Sequence, residues 1–201
     1  RLEDPVIVDG VRDTGGRVTL AIHACRKPVI AAINGAAVGI GATMTLAMDV
    51  RLVSEQAKIG FVFGRLGIVP EACSSFFLPR LVGISRALDW VYSARLLEAA
   101  EVHAAGLALA VHPAAELVGA AQRLAASYVH GRSAVSVALM RQMMWRNSAA
   151  DSPLQAHRVD SLAMFYTSRD DGHEGVRAFL EKRTPEFKAR ASSDMPPFYP
   201  W

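Results

Sequence analysis

The chain has 201 residues, 51% of them hydrophobic and 20% charged, with 22 Lys plus Arg against 19 Asp plus Glu for a net charge of +3. That length suits one domain, or one with an appendage, and the apolar half excludes a disordered chain. Cys25 and Cys73 are the only cysteines, which excludes a disulfide-stapled miniprotein and a CxxC-type metal cluster.

In chain order, residues 6–8 form a short apolar run and 9–16 read as a loop. Residues 17–25 predict a helix and 29–33 a fully buried strand. A glycine-punctuated turn over 34–41 leads into a helix over 42–48. Strands are expected at 50–53 and 58–61, then a loop over 64–71. Helices come next at 74–81 and 85–92 around Gly83, and at 98–105 ending on Gly106. A last strand is expected at 109–111. Beyond it only helices are predicted, at 114–129, 133–146, 154–168 and 173–183. Short strands alternating with helices, then helices alone, predict an α/β body with a helical tail. The end of the chain holds Pro196, Pro197 and Pro200 among Phe198, Tyr199 and Trp201. Those aromatics are expected to dock on something, such as another subunit.

Positive charge is scattered over 18 Arg and 4 Lys, with no basic arm and no aromatic interleaving. Nucleic acid is therefore not an expected partner. A mild excess suits a small anionic ligand. Residues 28–48 carry no charge over 21 positions, enough to span a bilayer. Asn34-Gly35 breaks that run with a turn that lipid would not tolerate, so a buried strand, turn and helix are expected instead. Lone cysteines and the lack of a visible export signal point to a reducing cytoplasm.

Two constellations carry candidate chemistry. Gly39-Ile40-Gly41 precedes a helix, where free N–H groups can hold an oxyanion; close helix–strand packing explains the same glycines. A dinucleotide fingerprint fails, because Met44 stands where its third glycine belongs. Glu71 ends the apolar stretch 66–70. It is either a proton-transferring base beside an apolar wall or a carboxylate favoured at a helix start. Cys73, beside Ser74 and Ser75, reads as a small buried thiol. The six His show no HExxH spacing, so no metal is expected. Met140, Met143, Met144 and Trp145 lie at helical spacing and read as core or interface.

With these residues in place, the chain resembles the crotonase superfamily of enoyl-CoA hydratases and isomerases. Lys27-Pro28-Val29-Ile30-Ala31-Ala32-Ile33-Asn34-Gly35-Ala36-Ala37-Val38-Gly39-Ile40-Gly41 is similar to its oxyanion strand–turn–helix. Ile59-Gly60-Phe61 and Leu66-Gly67-Ile68-Val69-Pro70 resemble the active-site loop. Leu78-Pro79-Arg80-Leu81-Val82-Gly83 and Ala104-Ala105-Gly106-Leu107 match family helices. Gly175, Ala178-Phe179-Leu180-Glu181-Lys182-Arg183 and Pro185-x-Phe187 match its C-terminal helix.

The resemblance implies an α/β fold: a crotonase-like ββα spiral core over 1–130, N-terminally incomplete, and a C-terminal all-helical oligomerisation region over 131–201. It also implies that strands carrying a second oxyanion donor belong ahead of Arg1. The positions of the family's two hydratase glutamates hold Thr43 and Phe63, which cannot ionise. The run from Leu66 through Pro70-Glu71 to Ser75 instead resembles peroxisomal-type Δ3,Δ2-enoyl-CoA isomerases, whose base sits at Glu71. The resemblance thus implies a Glu71 proton shuttle, with the Ile40 N–H as oxyanion donor and Gly39, Gly41 and Phe63 around the substrate. Phe61, Phe76 and Phe77 would line the acyl pocket. Phe179 and Lys182 would meet the coenzyme A of a neighbouring subunit in a homotrimer or dimer of trimers. A coenzyme A thioester is the implied substrate, with no covalently bound cofactor. Hydration, thioester hydrolysis, dehalogenation and a non-catalytic binding module stay open.

Overall fold

The computed structural model describes residues 12–201. The apolar run at 6–8 lies outside them. The described residues form two compact units. One holds the residues up to Ala24 together with Val29–Gln122; the other joins Cys25–Pro28 to Arg123–Trp201.

The first unit opens with α1 (Thr14–Ala24), so the helix begins inside the expected loop. Asp13 explains the earlier start: its carboxylate accepts the Gly16 N–H at 2.5 Å, a helix-capping bond. Then come β1 (Ile30–Ile33), β2 (Ala36–Val38) and the single turn α2 (Ile40–Thr43). A 3-10 turn over Met44–Ala47 completes what the sequence predicts as one helix. β3 (Val50–Ser54) and β4 (Lys58–Gly60) come next, then a 3-10 turn at Phe63–Leu66 that overlaps the start of the expected loop. α3 (Ser74–Val82) and α4 (Ile84–Ser93) meet at Gly83, β5 (Leu96–Glu98) leads into α5 (Ala99–Ala104), and β6 (Ala110–His112) closes the unit's strands.

These strands form two three-stranded sheets, ordered β1-β3-β6 and β2-β4-β5. The first is parallel throughout; in the second, β2 and β4 are parallel and β5 runs antiparallel to β4. The chain lays one strand in each sheet, makes a helical segment, and repeats: β1, β2, α2, then β3, β4, α3. Each crossover brings a helical segment onto the sheets, the ordinary solution for parallel strands. Strands β2 and β5 escape the sequence reading. β2 lies inside the glycine-punctuated stretch that reads as a turn, and β5 runs straight into the helix expected from residue 98.

Between the elements lies a core of Leu46, Leu52, Val53, Ile59, Phe61, Phe77, Leu78, Trp90 and Leu97. Phe61 stacks on Trp90 with ring centroids 6.1 Å apart. Arg51 is a buried cation inside β3, 5% exposed. It donates to the carbonyls of Leu107 (2.6 Å), Thr45 (3.0 Å) and Met48 (2.7 Å). Burial pushes its pKa down to about 10, against the opposing pull of Asp49. It stays charged at neutral pH and pins the 3-10 turn that comes after α2.

α6 (Leu117–Val129) begins in the first unit and ends in the second. The second unit continues with α7 (Ala134–Asn147), α8 (Pro153–Arg169) and α9 (Asp171–Leu180). Ser133 caps α7 by accepting the Ser136 N–H, and Ser152 with Pro153 starts α8. The proline-aromatic tail docks on its own chain. Phe198, Tyr199 and Trp201 cover Val135, Leu139 and Ala163, and the Arg146 guanidinium donates to the Trp201 carbonyl at 3.1 Å. No helix among the described residues is long and apolar enough to cross a membrane.

Candidate active site

Two backbone corners of the first unit meet at the site. The first is Gly39, with φ 56° and ψ −130°. A Cβ is disfavoured at that φ, so glycine suits the reversal that turns β2 into α2. Its carbonyl accepts the N–H groups of Ala42 and Thr43, both at 2.9 Å. The amides of Ile40 and Gly41, at the first two helical positions, stand outside that pairing and form the donor end of the turn.

The second corner is Pro70-Glu71-Ala72-Cys73. Ala72 and Cys73 have φ of 53° and 57°, two successive left-handed residues without glycine. That conformation is unfavourable for an L side chain and persists only where its surroundings impose it. The Glu71 carbonyl accepts both the N–H of Ser74 at 2.9 Å and its hydroxyl at 2.6 Å. The chain then runs directly into α3.

The corners touch through Thr43 and Glu71. Thr43 is fully buried, and its hydroxyl lies 2.6 Å from Glu71 Oε1 and 3.2 Å from the Gly39 carbonyl. One hydroxyl proton serves one acceptor at a time, and the shorter contact goes to the carboxylate. Glu71 is half-buried, and among the described residues this is the one hydrogen bond its carboxylate accepts. Ile40 is 44% exposed, and its side chain closes on the same point above Gly15 as Glu71 Oε2. Gly39, Ile40, Gly41 and Glu71 thus share one neighbourhood. An open groove of about 430 Å³ runs along β1 and β2 to Gly41, Met44 and Thr45.

The Cys73 thiol has a raised pKa, mainly from burial and also from the negative charges of Asp13 and Glu71. It is held as a thiol and not poised as a nucleophile. Phe63 is 3% exposed at the start of its 3-10 turn, within the packed interior. Phe61 and Phe77 are buried as well, while Phe76 is partly exposed beneath the Arg80 guanidinium. Phe179 and Lys182 belong to the second unit, where both face solvent, Phe179 at 81% exposure. Among the described residues no group of three or more His, Cys, Asp or Glu side chains is arranged to hold a metal ion.

Sequence reasoning misses Asp13 and Gly15, which lie at the start of α1 and reach the Glu71 corner. Asp13 accepts the Ala72 N–H at 3.2 Å. The capping pattern of Asp13 ahead of a glycine pair is visible in the sequence; its contact with a residue 59 positions later is not.

Comparison with known proteins identifies the family and the fold. Residues 9–190 match the sequence profile of the enoyl-CoA hydratase/isomerase family. The chain is 46% identical over 183 residues to an enoyl-CoA hydratase of Alternaria alternata, covering 90% of this chain and 61% of that protein. It is 34% identical over 181 residues to the 2,3-dehydroadipyl-CoA hydratase of Escherichia coli, covering 90% and 70%. A crystal structure of a probable enoyl-CoA hydratase/isomerase from Mycobacterium abscessus superposes with a TM-score of 0.83 at 29% identity, covering 92% of this chain and 71% of that one. The chain therefore spans about three fifths of the length of the Alternaria relative. By sequence and by fold, the chain belongs to the enoyl-CoA hydratase/isomerase family, within the crotonase superfamily.

Proposed function

We propose that this chain acts on a coenzyme A thioester and shifts a double bond from the 3- to the 2-position by proton transfer through Glu71. The observation that supports this is the Glu71 carboxylate itself. It is half-buried, accepts one hydrogen bond among the described residues, from the neutral Thr43 hydroxyl, and sits against the turn whose Ile40 amide opens a helix. Glu71 takes a proton from C2 of a 3-enoyl thioester. Negative charge spreads onto the thioester oxygen, where the Ile40 N–H stabilises it. Glu71 then returns the proton at C4. One carboxylate suffices because it gives back what it removed, and Thr43 and Phe63 have no proton-transfer role. Gly39 lets the turn reverse so that the amide faces the thioester, and Gly41 leaves its neighbourhood open. Phe63 backs the acyl end from the packed interior. Phe179 and Lys182 belong to this reading as the pair that meets the coenzyme A of a neighbouring subunit, in a homotrimer or dimer of trimers.

Hydration of a 2-enoyl thioester is the second reading, favoured by the hydratase names of the Alternaria and E. coli relatives. The two readings separate when the natural full chain and its Glu71→Gln variant are given 3-enoyl- and 2-enoyl-CoA. Conversion of 3-enoyl- to 2-enoyl-CoA that is lost in the variant supports the isomerase. Faster hydration than isomerisation by the unmodified protein replaces it with the hydratase. Binding of coenzyme A without turnover rejects both.

A further inference from the structure

The first turn of α1 forms a third side of the Glu71 corner. Asp13 Oδ1 accepts two N–H groups at once, from Gly16 at 2.5 Å and from Ala72 at 3.2 Å. The first bond starts the helix. The second satisfies the amide of a left-handed residue that is wholly buried; a buried amide without a partner is rare and costly. Glu71 is thereby gripped on both flanks, its carbonyl by Ser74 and the next amide by Asp13. Gly15 completes the arrangement. A Cβ there would stand 2.5 Å from Glu71 Oε2, 2.6 Å from Ile40 Cδ1 and 3.2 Å from the Ala72 Cβ. The space that a larger residue would fill is the space the Glu71 carboxylate uses.

We propose that Asp13 is a positioning residue for Glu71, tying the first turn of α1 to the left-handed Ala72–Cys73 corner, and that Gly15 sets how close α1 comes to the carboxylate. This rests on the reading of Glu71 as the base. Asp13 moves no proton itself. It needs an acceptor oxygen and not a charge, so an amide oxygen at the same place does the same work.

The experiment compares Asp13→Asn, Asp13→Ala, Gly15→Ala and Glu71→Gln in the natural full chain. It measures kcat and KM on 3-enoyl-CoA, thermal melting, and hydrogen exchange at the Ala72 amide. Asp13→Asn keeps kcat within about 3-fold, whereas Asp13→Ala lowers it by roughly 10–100-fold with KM nearly unchanged, the scale expected for a displaced catalytic group. Gly15→Ala lowers kcat on the same order with a modest drop in melting, because Glu71 Oε2 and Ile40 Cδ1 are the free ends of flexible side chains while the buried Ala72 Cβ must shift slightly. Ala72 exchange is protected in the unmodified protein and in Asp13→Asn, and fast in Asp13→Ala. Loss of kcat in Asp13→Asn as deep as in Asp13→Ala overturns the proposal, since it makes the charge essential. Full kcat in Asp13→Ala or in Gly15→Ala overturns it too. If Glu71→Gln keeps full turnover, the reading of Glu71 falls instead. The Asp13–Ala72 tie is then decided by Ala72 exchange, and equal exchange in the unmodified protein, Asp13→Asn and Asp13→Ala overturns it.

Discussion

Glu71 in the first unit and Glu174 in the second are both half-buried glutamates, yet their surroundings give them opposite characters. Glu174 accepts from Arg177 at 2.5 Å, from Arg183 at 2.6 and 3.0 Å, and from the Glu186 N–H at 2.9 Å. The Arg183 bonds, then the Glu186 amide and Arg177, hold its pKa well below the usual carboxylate range. Such a group stays charged and ties the turn after α9 to the helix. Glu71 instead has one neutral hydroxyl against it, and among the described residues no cation donates a hydrogen bond to it. A carboxylate saturated by cations serves the structure; the contrasting surroundings of Glu71 among the described residues, beside a helix-opening amide, are what support the proposal that it transfers a proton.

The sharpest way to break this contrast is to neutralise each glutamate in turn. Glu71→Gln is expected to lower turnover by about 10²–10⁴-fold, the contribution of a positioned general base, with little change in stability. Glu174→Gln is expected to leave turnover per folded molecule intact and lower the melting temperature. Steady-state kinetics alongside thermal melts check both, and swapped outcomes would break the comparison.

Arg51 sharpens it from the other side. The first unit has its own buried cation, but that cation is committed to the carbonyls of Thr45, Met48 and Leu107. Arg51→Leu strands those acceptors, and a buried group that loses its donor costs about 1–3 kcal/mol. The expected loss is on the order of 3 kcal/mol in chemical denaturation.

Acid gives a smaller effect with a defined sign. Because the folded pKa of Glu174 is depressed, its contribution is present in full above the ordinary carboxylate value of 4.5 and is lost as pH falls from there towards the lower folded pKa. The fluorescence of Trp145 and Trp201 should report loosening of the second unit across that window. In Glu174→Gln that dependence disappears.

The smallest effect concerns Cys73. With its pKa raised by burial and then by Asp13 and Glu71, little thiolate exists at neutral pH. Asp13→Asn or Glu71→Gln removes one of the two charges and speeds alkylation of Cys73, by less than about tenfold, the effect of one pKa unit. Peptide mapping after a timed iodoacetamide pulse reads it.

Much of the fold was legible in the residues. The motif from Lys27 to Gly41 marks β1 and the donor turn, and the apolar stretch ending in Glu71 marks the acid. The longer helices declare themselves by period and caps. Strands β2 and β5 do not, because β2 sits among the glycines of an apparent turn and β5 runs straight into a helix. The left-handed pair Ala72–Cys73 is equally silent, since that conformation is ordinarily announced by glycine or asparagine. Asp13 and Gly15 read as part of a loop; only the folded path shows that they flank an acid far along the chain. Arg51 looks like an interruption of an apolar strand until the carbonyls it serves are seen. Local pattern marks the elements and their chemistry, whereas the contacts that aim Glu71 are tertiary.

The most direct measurement tracks the C2 hydrogen. A 3-enoyl-CoA deuterated at C2 is incubated with the natural full chain and with Glu71→Gln, and label at C2 and C4 is read by mass spectrometry or NMR. A single-carboxylate shuttle predicts loss of label from C2 with partial arrival at C4, both abolished in the variant. Label leaving C2 as fast in Glu71→Gln as in the unmodified protein would contradict it.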